Sequence, residues 1–176
     1  ASVITTHLAE VVRRNVGRLL GRQDVKMLID VVKQNDPVVI DELNGANVTT
    51  GEIQRVLQML LDEGVGIRDL VRIFEVISER ARVTKDIDHI VESVRTSLGP
   101  AISGSYARDG RLPVLTLEPL IEHSLAEALR PSDNGSYLAL DPSIAEQLAM
   151  AIAREADAAE MRGVEPVLVC AAQLRP

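Results

Sequence analysis

Apolar residues recur three and four positions apart through the first hundred residues. This spacing commits most of that stretch to amphipathic helices. Ile4, Leu8, Val11, Val12, Val16, Leu19 and Leu20 follow it, predicting one helix over Val3–Leu20 that Gly21 ends or kinks. Val25, Leu28, Ile29 and Val32 predict a second over Gln23–Lys33. Asp36 and Pro37 open a short helix ending near Leu43, with Asp36 as a cap candidate and Pro37 at the first helical position. Beyond a loop at Asn44–Asn47, Thr49 or Thr50 caps the next helix. Glu52 supports its start, Ile53, Val56, Leu57, Leu60 and Leu61 line it, and Gly64 ends it. Two further helices carry Leu70, Ile73, Phe74, Ile77 and then Ile87, Ile90, Val91, Val94, Leu98, with an interruption or kink at Gly99-Pro100.

The core these helices build has to be aliphatic. Phe74 is the only Phe, Tyr106 and Tyr137 are the only Tyr, and there is no Trp. At 176 residues and 46% hydrophobic, the chain suffices for one packed domain or two small ones. A net charge of −7 argues against nonspecific nucleic-acid binding, which needs a basic surface. The single cysteine, Cys170, sits in an apolar run and reads as a buried core thiol in a reducing compartment. No apolar run approaches the roughly 20 residues that cross a bilayer.

Past Arg108-Asp109-Gly110, a turn signal, the pattern changes. Leu112–Leu117 reads as an edge strand or strand start because of Pro113, followed by a helix from Pro119 to about Leu129. Then come a loop at Pro131–Gly135, a short strand at Tyr137–Leu140, and a long helix capped at Asp141-Pro142 and ending at Arg162. Pro166–Cys170 is a continuous apolar run, as in a buried strand, and strand, helix and strand in succession suggest a right-handed βαβ crossover. The expected fold class is mainly α with a partial α/β C-terminal unit. The chain opens inside a helical pattern and closes just after an apolar run, so it is expected to be a piece of something larger.

Chemistry is harder to find. His7, His89 and His123 sit on separate predicted helices with no metal-ligand spacing, and read as surface or interface residues. Gly99–Gly104 has neither a phosphate-loop pattern nor a preceding strand. Asp62, Glu63, Glu155, Asp157 and Glu160 read as solvated helix faces rather than a catalytic pair in a cleft. Neither catalytic residue, metal nor cofactor is expected. The residues favour an interaction role over catalysis, with a small enzymatic or ligand-binding α/β domain as the alternative.

Several segments in fixed order are more specific. They are THLAEVVRRN at Thr6–Asn15, LLGRQDVKMLID at Leu19–Asp30 and IQRVLQMLLDEGVGIRDLVRIFEVISERA at Ile53–Ala81. TKDIDHIVESVRTSLG follows at Thr84–Gly99, LTLEPLIEHSLAEAL at Leu115–Leu129, and PVLVCAAQLRP at the end. This series resembles the cytoplasmic region of the FlhA family, or FHIPEP family, of flagellar export-gate membrane proteins. The related gate of virulence type III secretion systems is the alternative branch. The resemblance implies a platform at the cytoplasmic face of the bacterial inner membrane. Such a platform assembles with other subunits into a nine-membered ring and docks chaperone–substrate complexes and the export ATPase complex. It implies subdomains at 1–63 (helical), 64–132 (helical, ring-forming, with one strand) and 133–176 (incomplete α/β). It implies chaperone binding at Gly17, Leu20 and Gly21 together with Thr49, Thr50 and Gly51. It implies a ring interface at Arg68, Asp69, Arg72, Lys85 and Asp86. The family usually has a larger or aromatic residue at Leu20 and often an acidic one near Gly17, and this chain departs from it at both.

Overall fold

The computed structural model describes residues 3–132 and 135–175, which fall into two compact units, 1–102 and 103–176. The first unit is helical: α1 (Val3–Arg14), α2 (Val16–Leu19), α3 (Arg22–Asn35), α4 (Pro37–Gly45), α5 (Thr50–Asp62), α6 (Leu70–Ala81) and α7 (Ile87–Ser97). Helix α8 (Gly99–Tyr106) starts in this unit and ends in the next.

The expected continuous helix over Val3–Leu20 is broken at Asn15. Its side-chain amide donates to the Val11 carbonyl at 2.8 Å and its backbone turns before α2 begins. Asn is among the residues whose side chain competes with the helical ladder in this way. Val3, Ile4, Leu8, Val11 and Val12 of α1 are all exposed, so the amphipathic face that the spacing implied is not buried within this unit. Asp36 does precede α4, but its side chain makes no cap bond.

Helices α3 to α7 share one core. Val25 and Val32 of α3 meet Val39, Ile40 and Leu43 of α4, and Ile53, Val56, Leu57 and Leu60 of α5. Helices α6 and α7 close it with Ile73, Phe74, Ile77, Ile90, Val91 and Val94. Phe74 is completely buried, the one aromatic ring among aliphatic neighbours. An ion cluster binds the end of α5 to α7. Arg95, only 12% exposed, donates from Nε to Glu63 at 2.8 Å and pairs through its terminal nitrogens with Glu63 and Glu92.

The second unit contains β1 (Leu115–Thr116), α9 (Pro119–Ala128), β2 (Leu129–Ser132), β3 (Gly135–Leu138), α10 (Pro142–Met161) and β4 (Leu168–Val169), then a 3₁₀ turn at Ala172–Leu174. Strand β4 pairs in parallel with β1, Leu168 opposite Leu115, which makes this unit α/β. Strand β3 does not pair with β4, as a strand–helix–strand reading would have it. It returns antiparallel on β2, Tyr137 opposite Arg130. The stretch expected as a loop at Pro131–Gly135 thus belongs to a hairpin, with Asp133 and Asn134 outside the described residues. Leu168 and Val169 are exposed and Cys170 is half-buried, so the apolar run at Pro166–Cys170 is neither a buried strand nor a core thiol here. The turn at Asp109-Gly110 forms as expected. Both residues take positive φ (50° and 72°), and Arg108 and Arg111 exchange backbone hydrogen bonds of 2.9 Å across it.

Replacing Phe74 by Ala is expected to cost about 3–5 kcal/mol, the usual loss for a fully buried ring. Urea unfolding followed by helical circular dichroism should show a lower midpoint with an unchanged slope.

Candidate functional site

Helix α5 organises this region through both of its faces. One face supplies the core residues named above. Gln54, Gln58 and Asp62 recur every four positions on another and face α2. The side-chain amides of Gln54 and Gln58 donate to the same acceptor, the Leu20 carbonyl, at 2.9 and 3.1 Å. That carbonyl is one of the unpaired groups any helix end leaves, and two donors satisfy it at the break between α2 and α3.

One step earlier, α2 lies against α5 so closely that only glycine fits. A Cβ on Gly17 would stand 2.2 Å from Asp62 Oδ1 and 2.9 Å from the Gln58 carbonyl oxygen. One step later, the Arg22 guanidinium lies over Gly51, where a Cβ would come 3.1 Å from Nη2. Residues 17, 20 and 22 therefore meet Asp62, then Gln58 and Gln54, then Gly51, so the two segments run antiparallel.

Of the six residues expected to dock a chaperone, Gly21 opens α3 next to the Leu20 carbonyl that Gln54 and Gln58 hold. Thr49, Thr50 and Gly51 stand at the N-terminal end of α5, and Gly17 packs at the other end beside Asp62, which lies about 16 Å along the helix from Gly51 at 1.5 Å per residue. Leu20 lies between them, half-buried and packed on the core. Its neighbour Leu19, which sequence reasoning passed over, is 61% exposed and presents more apolar surface.

The start of α5 is fixed by a reciprocal cap. Thr49 Oγ1 accepts from the Glu52 N–H at 3.2 Å, while the Glu52 carboxylate accepts from the Thr49 N–H at 2.7 Å and its hydroxyl at 2.8 Å. The Thr49 backbone bond, then its hydroxyl, hold the Glu52 carboxyl below its ordinary value; the positive charge of Lys85 acts in the same direction and partial burial opposes. At the other turn, Asp24 accepts from the Gly21 N–H at 2.8 Å and starts α3. Beside this corner, α3, α4 and the first turn of α5 enclose a cleft of about 340 Å³. Ile29, Ile40, Leu43, Val48 and Ile53 line it together with the polar Lys26, Asp30, Asn44 and Thr50.

The residues expected at a ring interface are all exposed, and four of the five serve the fold. Asp69 caps α6, accepting from the Arg72 N–H at 3.2 Å. Arg72 Nε donates to the Ser97 carbonyl at the end of α7 at 2.9 Å. Asp86 caps α7, accepting from the Asp88 and His89 amides. Lys85 Nζ donates to the Ala46 carbonyl at 3.2 Å. His7, His89 and His123 are exposed, and among the described residues no group of three or more His, Cys, Asp or Glu is placed to hold a metal ion.

Sequence reasoning missed Gln54 and Gln58 and read Asp62 as part of a solvated helix face. Their four-residue spacing puts them on one stripe of α5, but such a stripe fits a solvent-facing helix equally well.

The FHIPEP family model matches residues 1–176. Flagellar biosynthesis protein FlhA of Bacillus subtilis is 35% identical over 176 residues, covering 99% of this chain and 26% of that protein. The chain thus spans about a quarter of the length of the curated relatives it matches. Among solved structures, the Chlamydia pneumoniae CdsV and CdsO complex superimposes with a TM-score of 0.82 at 28% identity, covering 98% of this chain and 51% of that one. The nonameric EscV cytosolic domain from the type III secretion system does so at 0.71 and 33% identity, covering 82% and 43%.

Two substitutions test this geometry. Gly17→Ala is expected to destabilise by about 1–3 kcal/mol, overlap with the Gln58 carbonyl outweighing alanine's better helix propensity, as a lowered melting temperature would show. Thr49→Ala is expected to cost about 1 kcal/mol at neutral pH. A carboxyl depressed by folding contributes stability above its unfolded value and loses it as pH falls through the folded one. The gap between Thr49→Ala and the parent should therefore narrow on acidification, and carboxyl NMR should find Glu52 titrating higher in the variant.

Proposed function

The chain belongs to the FHIPEP family, and we propose that it is part of the cytoplasmic platform of a type III export gate of the flagellar branch. In this reading it carries no catalysis. It docks chaperone–substrate complexes and the export ATPase complex, and assembles with further copies and other gate subunits into a nine-membered ring at the inner membrane. The family match over the whole chain carries the reading. The flagellar relative supports the branch, the nonameric EscV domain supports the ring, and the CdsV–CdsO complex supports partner binding. No helix among the described residues is long and apolar enough to cross a membrane, which is compatible with a segment on its cytoplasmic side.

Docking is assigned to the corner where α2 and α3 meet the start of α5. Exposed Leu19 and half-buried Leu20 offer apolar surface towards the start of α5, where Thr49 caps the helix and the Arg22 guanidinium lies over Gly51. An amphipathic segment from a partner fits such a corner by burying apolar area. Arg68, Asp69, Arg72, Lys85 and Asp86 are assigned to the ring contact, where exposed charge sets register more than affinity.

A late-substrate chaperone–cargo complex titrated into the complete cytoplasmic region should bind. Leu19→Asp and Leu20→Asp should each weaken it roughly ten- to hundredfold, the worth of one buried leucine. Absence of binding by the parent, or full binding by both folded variants, would remove this corner as the docking site.

A further inference from the structure

The two turns that bear the proposed docking and ring residues meet at one side chain. The turn between α4 and α5 closes with the Ala46 N–H on the Glu42 carbonyl at 2.9 Å and the Val48 N–H on the Leu43 carbonyl at 3.2 Å. Between them Asn47 takes a left-handed conformation (φ 53°), which asparagine adopts more readily than other non-glycine residues just past a helix end. The Ala46 carbonyl, at the end of α4, lies beyond the helical ladder and needs a donor from elsewhere. Lys85 supplies it, Nζ to oxygen at 3.2 Å, across 39 residues of sequence.

Lys85 itself is held on both sides. The Thr84 hydroxyl accepts from the Asp86 N–H at 3.0 Å, and Asp86 caps α7, so the turn between α6 and α7 is anchored to a helix start. The same ammonium lies near enough to Glu52 to favour its carboxylate, the group that locks Thr49. One cation thus bonds the end of α4 and favours the charge on the carboxylate that caps α5. Asn44, Val48 and Thr50, along the intervening stretch, also wall the cleft beside α3.

We propose that Lys85 is a positioning residue: its bond to the Ala46 carbonyl fixes the turn that presents Thr49, Thr50 and Gly51, and so couples the turn between α6 and α7 to docking. The part concerning docking rests on the function proposed above; the part concerning the turn does not.

The test compares Lys85→Met, which keeps length without charge, with Lys85→Arg, which keeps a cationic donor. In the 176-residue chain, hydrogen exchange of the amides over residues 46–52 should accelerate on the order of fivefold in Lys85→Met, as for loss of a partly exposed charge-assisted bond, and return toward the parent rate in Lys85→Arg. Affinity for a late-substrate chaperone–cargo complex should fall and recover in the same order. Unchanged exchange in Lys85→Met, or Lys85→Arg no slower than Lys85→Met, overturns the positioning role. Faster exchange with unaltered affinity overturns the coupling to docking. A parent that binds no complex overturns the docking reading, and the exchange rates still decide whether Lys85 fixes the turn.

Discussion

The first unit depends on α5 having neighbours on two sides. Its apolar face closes the aliphatic core against α3 and α7, while Gln54 and Gln58 converge on the Leu20 carbonyl. A helix end buried without partners would cost a large part of a domain's narrow stability margin. The two amides remove that cost and in doing so set where α2 stops and α3 begins. Everything at the candidate site follows from this register, including the close approach at Gly17, the Arg22 guanidinium over Gly51 and the exposure of Leu19.

Local chemistry made much of the helical unit legible. Thr49 with Glu52, Asp69 and Asp86 announce helix starts because capping acts at fixed short offsets. Residues whose role depends on distant chain were less so. Asn15 breaks a helix through its own side chain, yet fits the helical spacing as well as any polar residue. Pro131 and Ser132 look like the start of a loop, while their backbone pairs with Ser136 and Gly135. The run at Pro166–Cys170 reads as buried by composition alone, but its two strand residues are exposed, because burial depends on what packs there rather than on the run itself. For the candidate site, the motifs pointed to two segments that the fold does bring side by side. That Gly17 and Gly51 mark opposite ends of one antiparallel seam is tertiary information that no spacing carries.

Capping and the proposed ring contact fall on the same residues in this chain. Asp69, Arg72, Lys85 and Asp86 are exposed charges of the sort that suit a subunit contact, and each also satisfies a backbone group at a helix end. An isolated exposed ion pair contributes little, and it leaves its charges free to rearrange. A charge tied to a helix terminus keeps one orientation. A surface built this way is preorganised, so forming a contact there costs less side-chain entropy.

The scarcity of aromatic rings has an optical consequence. Tyr106 and Tyr137 both belong to residues 103–176, and Phe74 is buried among the helices of residues 1–102. Tyrosine emission therefore arises from the second unit alone, whereas the helical far-ultraviolet signal comes from both. The chain carries its own pair of orthogonal reporters: any difference between the two melting profiles measures, with no label attached, how far the two units unfold as one.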